Sequence, residues 1–502
     1  MWIVAIVIFI TYWAIVEILK TKGILEKRNI TAIGPILMIR TKKGLNLLEK
    51  ISKPKMFWRV IANLGIPSIF LGMAFMFILV LLMDYRLITT PPKPSPLTSP
   101  RNVLLIPGVN QYIPVVWGLI GLIITLVVHE FSHAILCRVE GVRVKSLGIL
   151  LALLPIGGFA EPDESELMDK RIGRMQRIRI FSAGVISNFI LALIAFSVFF
   201  YLLGFISPLV VVRDVSKDSA AYGLIEEGDI ILSINGVDVK SIDDVSNALK
   251  IGNNLKIVYK HNGEIKEVTI PKIAGINVTG LYREDNKIFP AEKAGIRKGM
   301  IIFRINNEPT PTLKDFMDIM KRTKPNETIQ IFVYNKGEVK VFKVKLAKSP
   351  NNNHGFLGVF AEEYISGIKL AYSDLFLKEL KSIPSRLKSV DGWILIIAMP
   401  FTFPGFSEAI TKYFEGNTIT FYLLNTFYWI AWINFYVGLF NCLPAIPLDG
   451  GRILHETLSA LLSKRFGERG EEMSLNTVKF LAILIFSSII LSIIIPNLNL
   501  KT

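Results

Sequence analysis

The sequence predicts a multi-pass α-helical membrane protein of about six spans, with an extracytoplasmic α+β region inserted between the fourth and fifth. Three observations predict it. Of 502 residues, 51% are apolar and only 20% charged, against about 25% charged in soluble domains, and the mean hydropathy is +0.46. The apolar residues gather into six stretches close to the ~20 residues needed to cross a bilayer. Between residues 208 and 411 a mostly polar segment interrupts the series and repeats part of its own pattern.

The first stretch, Trp2 to Leu19, is apolar except for Glu17 and lacks a basic leader and a small-residue cleavage site, so it reads as an anchor. Val60 to Met83 has no charge. Pro114 to Cys137 is apolar but contains His129, Glu130 and His133. Ile180 to Ser207 and Gly416 to Leu448 are charge-free, and Phe480 to Pro496 closes the set.

Orientation follows from the loops. Residues 20–59 hold eleven Lys or Arg, from Lys20 through Arg40, Lys42 and Lys43 to Arg59, against two acids. The next loop, 85–112, holds only Arg86, Lys93 and Arg101. The loop after the third span ends in Lys170, Arg171, Arg174, Arg177 and Arg179. Loops one and three are therefore expected in the cytoplasm, with both termini and the polar insert outside. The formal charge of +16 is explained by this topology, so no nucleic-acid partner is expected. Two cysteines, Cys137 and Cys442, exclude a disulfide framework.

Within the insert, Gly223–Gly236 (GLIEEGDIILSING) parallels Gly295–Asn307 (GIRKGMIIFRINN), at a constant offset of 71 after one gap. Each copy continues into a helix-like stretch, Ile242–Leu249 or Leu313–Met320. Each then enters a strand, a turn (Asn262-Gly263 or Lys336-Gly337) and a second strand. The pattern resembles tandem PDZ domains, which implies that peptide C-termini could bind by strand addition, or that the pair acts as a spacer or size filter. The charge-free stretch 392–407 is short and broken by Pro400 and Pro404, so it reads as interfacial or re-entrant.

The chemistry lies in His129-Glu130-Phe131-Ser132-His133. Residues four apart share a helix face, so both imidazoles can meet one metal. Glu130, beside the first ligand, can take a proton from water bound to that metal. Each ionisable residue in a span costs about 2.5–3.5 kcal/mol on insertion scales, so three together point to function. Catalytic zinc takes three protein ligands. The best-placed third is Asp449, which ends the charge-free fifth run at the same depth as the histidines. Cys137, at i+4 from His133, and His455 are rivals, and Asp449 alone would read as a helix cap.

With the HExxH span and Asn441-Cys442-Leu443-Pro444 through Leu448-Asp449-Gly450, the chain resembles the site-2 protease family of intramembrane zinc metalloproteases. Ile106–Asn110, Leu147–Phe159 and Arg177–Phe189 extend the resemblance in family order. It implies one catalytic Zn2+ held by His129, His133 and Asp449, with Glu130 as general base. It implies a softer role for Asn441 in orienting substrate or the ligand carboxylate. Gly157 and Gly158 fall in what looks like the family's membrane-associated hairpin, where an unwound substrate strand could pair. Substrates would be membrane proteins with a transmembrane segment, cut near the cytoplasmic side of the cell membrane.

These readings divide the chain as follows. Residues 1–103 form a two-span leader, 104–207 the first part of the protease core, and 208–273 and 274–348 the PDZ-like pair. Residues 349–415 are a linker, 416–463 the second part of the core, and 464–502 the last span. A non-catalytic scaffold with structural zinc would need four closed ligands and no Glu130. An ion transporter would need charges along other spans, which the fourth and fifth lack.

Overall fold

A backbone in lipid must satisfy its own hydrogen bonds, so the long apolar runs become helices. A computed structural model describes residues 2–497 apart from 43, 91–98, 104–105, 153, 170, 285–286, 336 and 351. Lys43, Lys93, Lys170 and Lys336 thus lie outside the described residues. The chain divides into two compact units, residues 1–200, 398–405 and 422–502 forming one and 201–397 with 406–421 the other.

In the first unit, helix α1 (Trp2–Thr21) leads into a hairpin of β1 (Ile30–Ile33) and β2 (Ile36–Thr41). Helix α2 (Lys55–Thr89) and helix α3 (Val115–Glu140) follow, then a second hairpin, β3 (Val144–Ala152) and β4 (Leu154–Pro162). Helices α4 (Arg174–Leu202), α5 (Thr418–Asn441), α6 (Asp449–Phe466) and α7 (Glu468–Asn497) complete it. Five of the described helices, α2, α3, α4, α5 and α7, are long and apolar enough to cross a membrane. Helix α1 is a sixth apolar helix, of 20 residues. The chain is a membrane protein.

The first loop is more than a basic tether. Its hairpin closes through a two-residue turn in which Gly34 takes φ +56°, as the first position of a type II′ turn requires. β2 then pairs with β3, giving the antiparallel sheet β1-β2-β3-β4. The fifth apolar run is not one span to Leu448: α5 ends at Asn441. Pro444 and Pro447 lack the N–H a continuing helix needs, and Asp449 opens α6. The short apolar stretch forms a helix over Val390–Thr402.

The second unit carries a twelve-stranded sheet. One copy contributes Val210–Val215, Ile230–Ile234, Asn254–His261 and Glu264–Pro271; the other contributes Ala274–Leu281, Ile301–Ile305, Thr328–Asn335 and Glu338–Lys345. The repeat is visible atom by atom. Asn235 and Asn306, 71 residues apart, both take positive φ (50° and 51°), and their Oδ1 atoms accept from Lys256 N and Gln330 N. Ser241 and Thr312 cap the two helices, accepting from Asp244 N and Asp315 N.

Two further strands fall in the stretch 349–415 expected as linker. Val359–Ile365 pairs with 274–281, and Ile368–Tyr372 pairs with 210–215. Leu357 enters the second copy's core and Ile368 the first's. Strand 368–372 therefore completes the first copy only after the whole second copy has passed.

Candidate metal centre

The i, i+4 spacing on α3 does what it predicts: the rings of His129 and His133 lie 4.8 Å apart, with their Nε2 atoms 3.2 Å from each other. Asp449 comes to them because α6 starts unusually close to the turn before it. A Cβ on Gly450 would stand 2.4 Å from the Cys442 carbonyl oxygen, and one on Gly451 2.4 Å from the Ala445 carbonyl carbon. Two side-chain-free residues after the aspartate thus let the helix end tuck under the turn. Asp449 Oδ2 lies 3.2 Å from His129 Nε2 and 3.3 Å from His133 Nε2.

These separations fit a metal. Ligands about 2.0–2.1 Å from a tetrahedral ion stand roughly 3.3 Å from one another. Asp449 Oδ2 is buried and takes part in no hydrogen bond, a costly state unless a cation satisfies it. Among the described residues His129, His133 and Asp449 form the group able to hold one.

Surrounding residues aim the rings. His133 Nδ1 donates to the Ile180 carbonyl at 2.7 Å, leaving Nε2 for the metal. His129 Nδ1 lies 3.1 Å from the amide nitrogen of Asn188, whose Oδ1 is buried without a partner. Turning the amide over sets that oxygen against Nδ1–H and frees His129 Nε2. Gly184 lets α4 approach: a Cβ there would lie 2.5 Å from His129 Cε1 and from His133 Nε2. Arg177 holds α4 to α6 through a two-pronged pair with Glu456, at 2.6 and 3.0 Å.

Glu130 points to the sheet, its Oε2 accepting from the Ala160 N–H at 3.0 Å. Gly158 on β4 makes this possible, since a Cβ there would meet Glu130 Cγ at 2.8 Å. Gly157 pairs with Leu150 on β3. Asn441 ends α5, and its amide donates to Val437 O one turn back, with no described contact to Asp449. The rival ligands lie elsewhere. Cys137 is buried in an apolar cluster, and His455 Nδ1 sits 3.0 Å from Ser474 Oγ on α7. Asn188, Gly184 and the Ile180 carbonyl were not singled out from sequence, although all lie in or beside the Arg177–Phe189 segment.

The chain is similar to known proteins over the region that carries these residues. The family model described as peptidase family M50 matches residues 117–485, well over half of the chain. An uncharacterized protein of Methanocaldococcus jannaschii is 27% identical over 451 residues, 89% of this chain and 82% of that protein. A protein of Clostridium acetobutylicum named as a proposed zinc metalloprotease is 30% identical over 185 residues, 32% of this chain and 54% of that protein. Protease RseP of Yersinia pestis is 22% identical over 454 residues, 74% of this chain and 97% of that protein.

Proposed function

The chain belongs to peptidase family M50, the site-2 protease family, and from that premise we propose that it is an intramembrane zinc metalloendopeptidase. It cuts peptide bonds within or near the transmembrane segments of membrane proteins. The observation that carries the reading is the convergence of His129, His133 and Asp449 beside Glu130.

His129 and His133 through Nε2, and Asp449 through its carboxylate, would hold one zinc ion. When bound, zinc supplies a Lewis acid and lowers the pKa of its water to about 7. Glu130 takes a proton from the attacking water and delivers it to the nitrogen of the departing strand. Water's oxygen ends on the carbonyl carbon, and the C–N bond breaks. Ile180 and Asn188 keep the imidazoles oriented throughout. A helical substrate must unwind to expose its scissile bond, and the outward edge of β4 at Gly157 and Gly158 offers a strand to pair with.

Loops one and three, with the β1–β4 sheet, are cytoplasmic on this reading, and the twelve-stranded unit is extracytoplasmic. That unit is a PDZ-like tandem in which 359–365 and 368–372 belong to the folded pair. It filters substrates by size or binds peptide C-termini.

The test is cleavage of a tagged single-span substrate by the purified protein in detergent, with a zinc chelator and with Glu130→Gln. Cleavage should vanish in both controls. A wild type that is inert towards several substrates while holding stoichiometric zinc would replace this reading with that of a scaffold.

A further inference from the structure

Beside Glu130 lies a cavity of about 400 Å³ between α3 and the β1–β4 sheet. Cross-strand partners share a face of a sheet. The register places Ile39 opposite Ile149, Thr41 opposite Leu147, and Ile149 opposite Gly158. One face therefore carries Ile39, Leu147, Ile149 and Leu151, all of which line the cavity, while Leu126 and Phe131 line it from α3. Glu130 is its one charged lining residue among those described. Ile39 and Ile149 remain 37% and 45% exposed, so large apolar side chains flank the opening instead of filling it.

We infer that this cavity is a specificity pocket, which takes one large apolar side chain of the substrate next to the scissile bond, and that Ile39 sets its size. The inference rests on the protease reading above and names the substrate feature that reading leaves open. Three features select this occupant. The wall contains the proposed general base, so whatever enters lies next to the reacting bond. On the same face Gly158 has no side chain, which brings Glu130, and the pocket it lines, close against β4 and its outer edge. A strand laid along that edge sends alternate side chains to the face that carries the pocket. The lining is apolar and the volume lies within the 300–1,000 Å³ of small-molecule pockets, ample for a leucine or phenylalanine side chain. Ile39 belongs to the β1–β2 hairpin, before the residues matched by the family model, so this wall is supplied by the chain's own leader region.

The test uses the full chain in detergent and a tagged single-span substrate whose scissile bond is mapped by mass spectrometry. The residue on each side of that bond is replaced in turn by Ala, Leu and Phe. In the wild type, one of the two positions should favour Leu or Phe over Ala by about tenfold or more in kcat/KM, the discrimination an apolar pocket provides. Ile39→Trp should erase the preference, lowering cleavage of the Leu and Phe substrates at least about tenfold more than that of the Ala substrate. Ile39→Ala, which cannot overpack the site, should shift the preference from Leu towards Phe, and so tests the pocket even if the Trp variant fails to fold. Equal effects on all three substrates, or no effect of either variant in an active enzyme, would overturn the pocket and leave the protease reading intact. A wild type that cleaves nothing would overturn both.

Discussion

The main-chain N–H of Ala160 donates to Oε2 of Glu130 across 3.0 Å, tying the proposed general base on α3 to the outer edge of β4. Leu147 and Ala160 are partners in the β3–β4 register, and an N–H turned towards Glu130 is turned away from that ladder. The carboxylate is therefore held without weakening the sheet.

Ala160→Pro removes this donor, and an edge strand tolerates proline where the N–H faces outward. Hydrogen bonds to charged groups contribute about 1.5–3 kcal/mol, so kcat should fall roughly 10- to 100-fold. KM and zinc content should stay near wild type. Loss of zinc would mean that the strand had moved instead.

Gly184→Ala should empty the metal site. Its Cβ would stand 2.5 Å from both imidazoles, and α4 would have to retreat. Zinc per chain, measured by mass spectrometry after gel filtration, should drop well below one. Gly204→Ala, where a Cβ meets nothing within 4 Å, should keep it.

Asn188→Ala removes the partner of His129 Nδ1. Losses of this kind cost about 10–100-fold in metal affinity, read by competition with a chromophoric chelator. Asn188→Asp, which restores an acceptor, should recover most of it.

In the second unit, burial pushes the Glu363 carboxyl above its ordinary pKa of 4.5, although the Tyr372 hydroxyl and Leu313 N–H both donate to it. An acid with a raised folded pKa adds stability below its unfolded pKa. That stability is lost as pH rises towards the folded value. Hydrogen exchange of segment 313–320, corrected for intrinsic rates, should report easier opening as pH climbs from 4.5 through the folded value. Glu363→Gln should flatten the trend.

If the twelve-stranded sheet excludes untrimmed substrates, removing it should raise cleavage of full-length ones and leave that of pre-trimmed ones unchanged. The deletion should run from 208 to 372, because strand 368–372 pairs with 210–215 and a shorter cut would leave unpaired edges. Unchanged cleavage of long substrates would sink the filter.

Much of the site was legible because its chemistry is local. His129, Glu130 and His133 declare themselves by helical spacing, and Asp449 by ending a long charge-free run. The internal repeat was legible for the same reason, as Asn235 and Asn306 sit at matching turns. What escaped depends on distant partners. Nothing within Ile368–Tyr372 announces that it will pair with 210–215. The Ile180 carbonyl that orients His133 is a backbone group, and any residue type supplies one. The β1–β2 hairpin does carry a signal, two β-branched runs about Gly34-Pro35, set among cations that by themselves speak only of topology.

Strand pairing at 207–208 with 414–415, and at 210–215 with 368–372, returns the chain to where it departed before α5 begins. Asp449 thus reaches the ribosome long after His129. At about 5–20 residues per second, the roughly 320 intervening residues take about 16–64 s to synthesise. For that interval the growing chain holds two imidazoles and the proposed general base without the carboxylate that joins them. On the protease reading, the newborn chain is thereby disarmed until its last helices have been made.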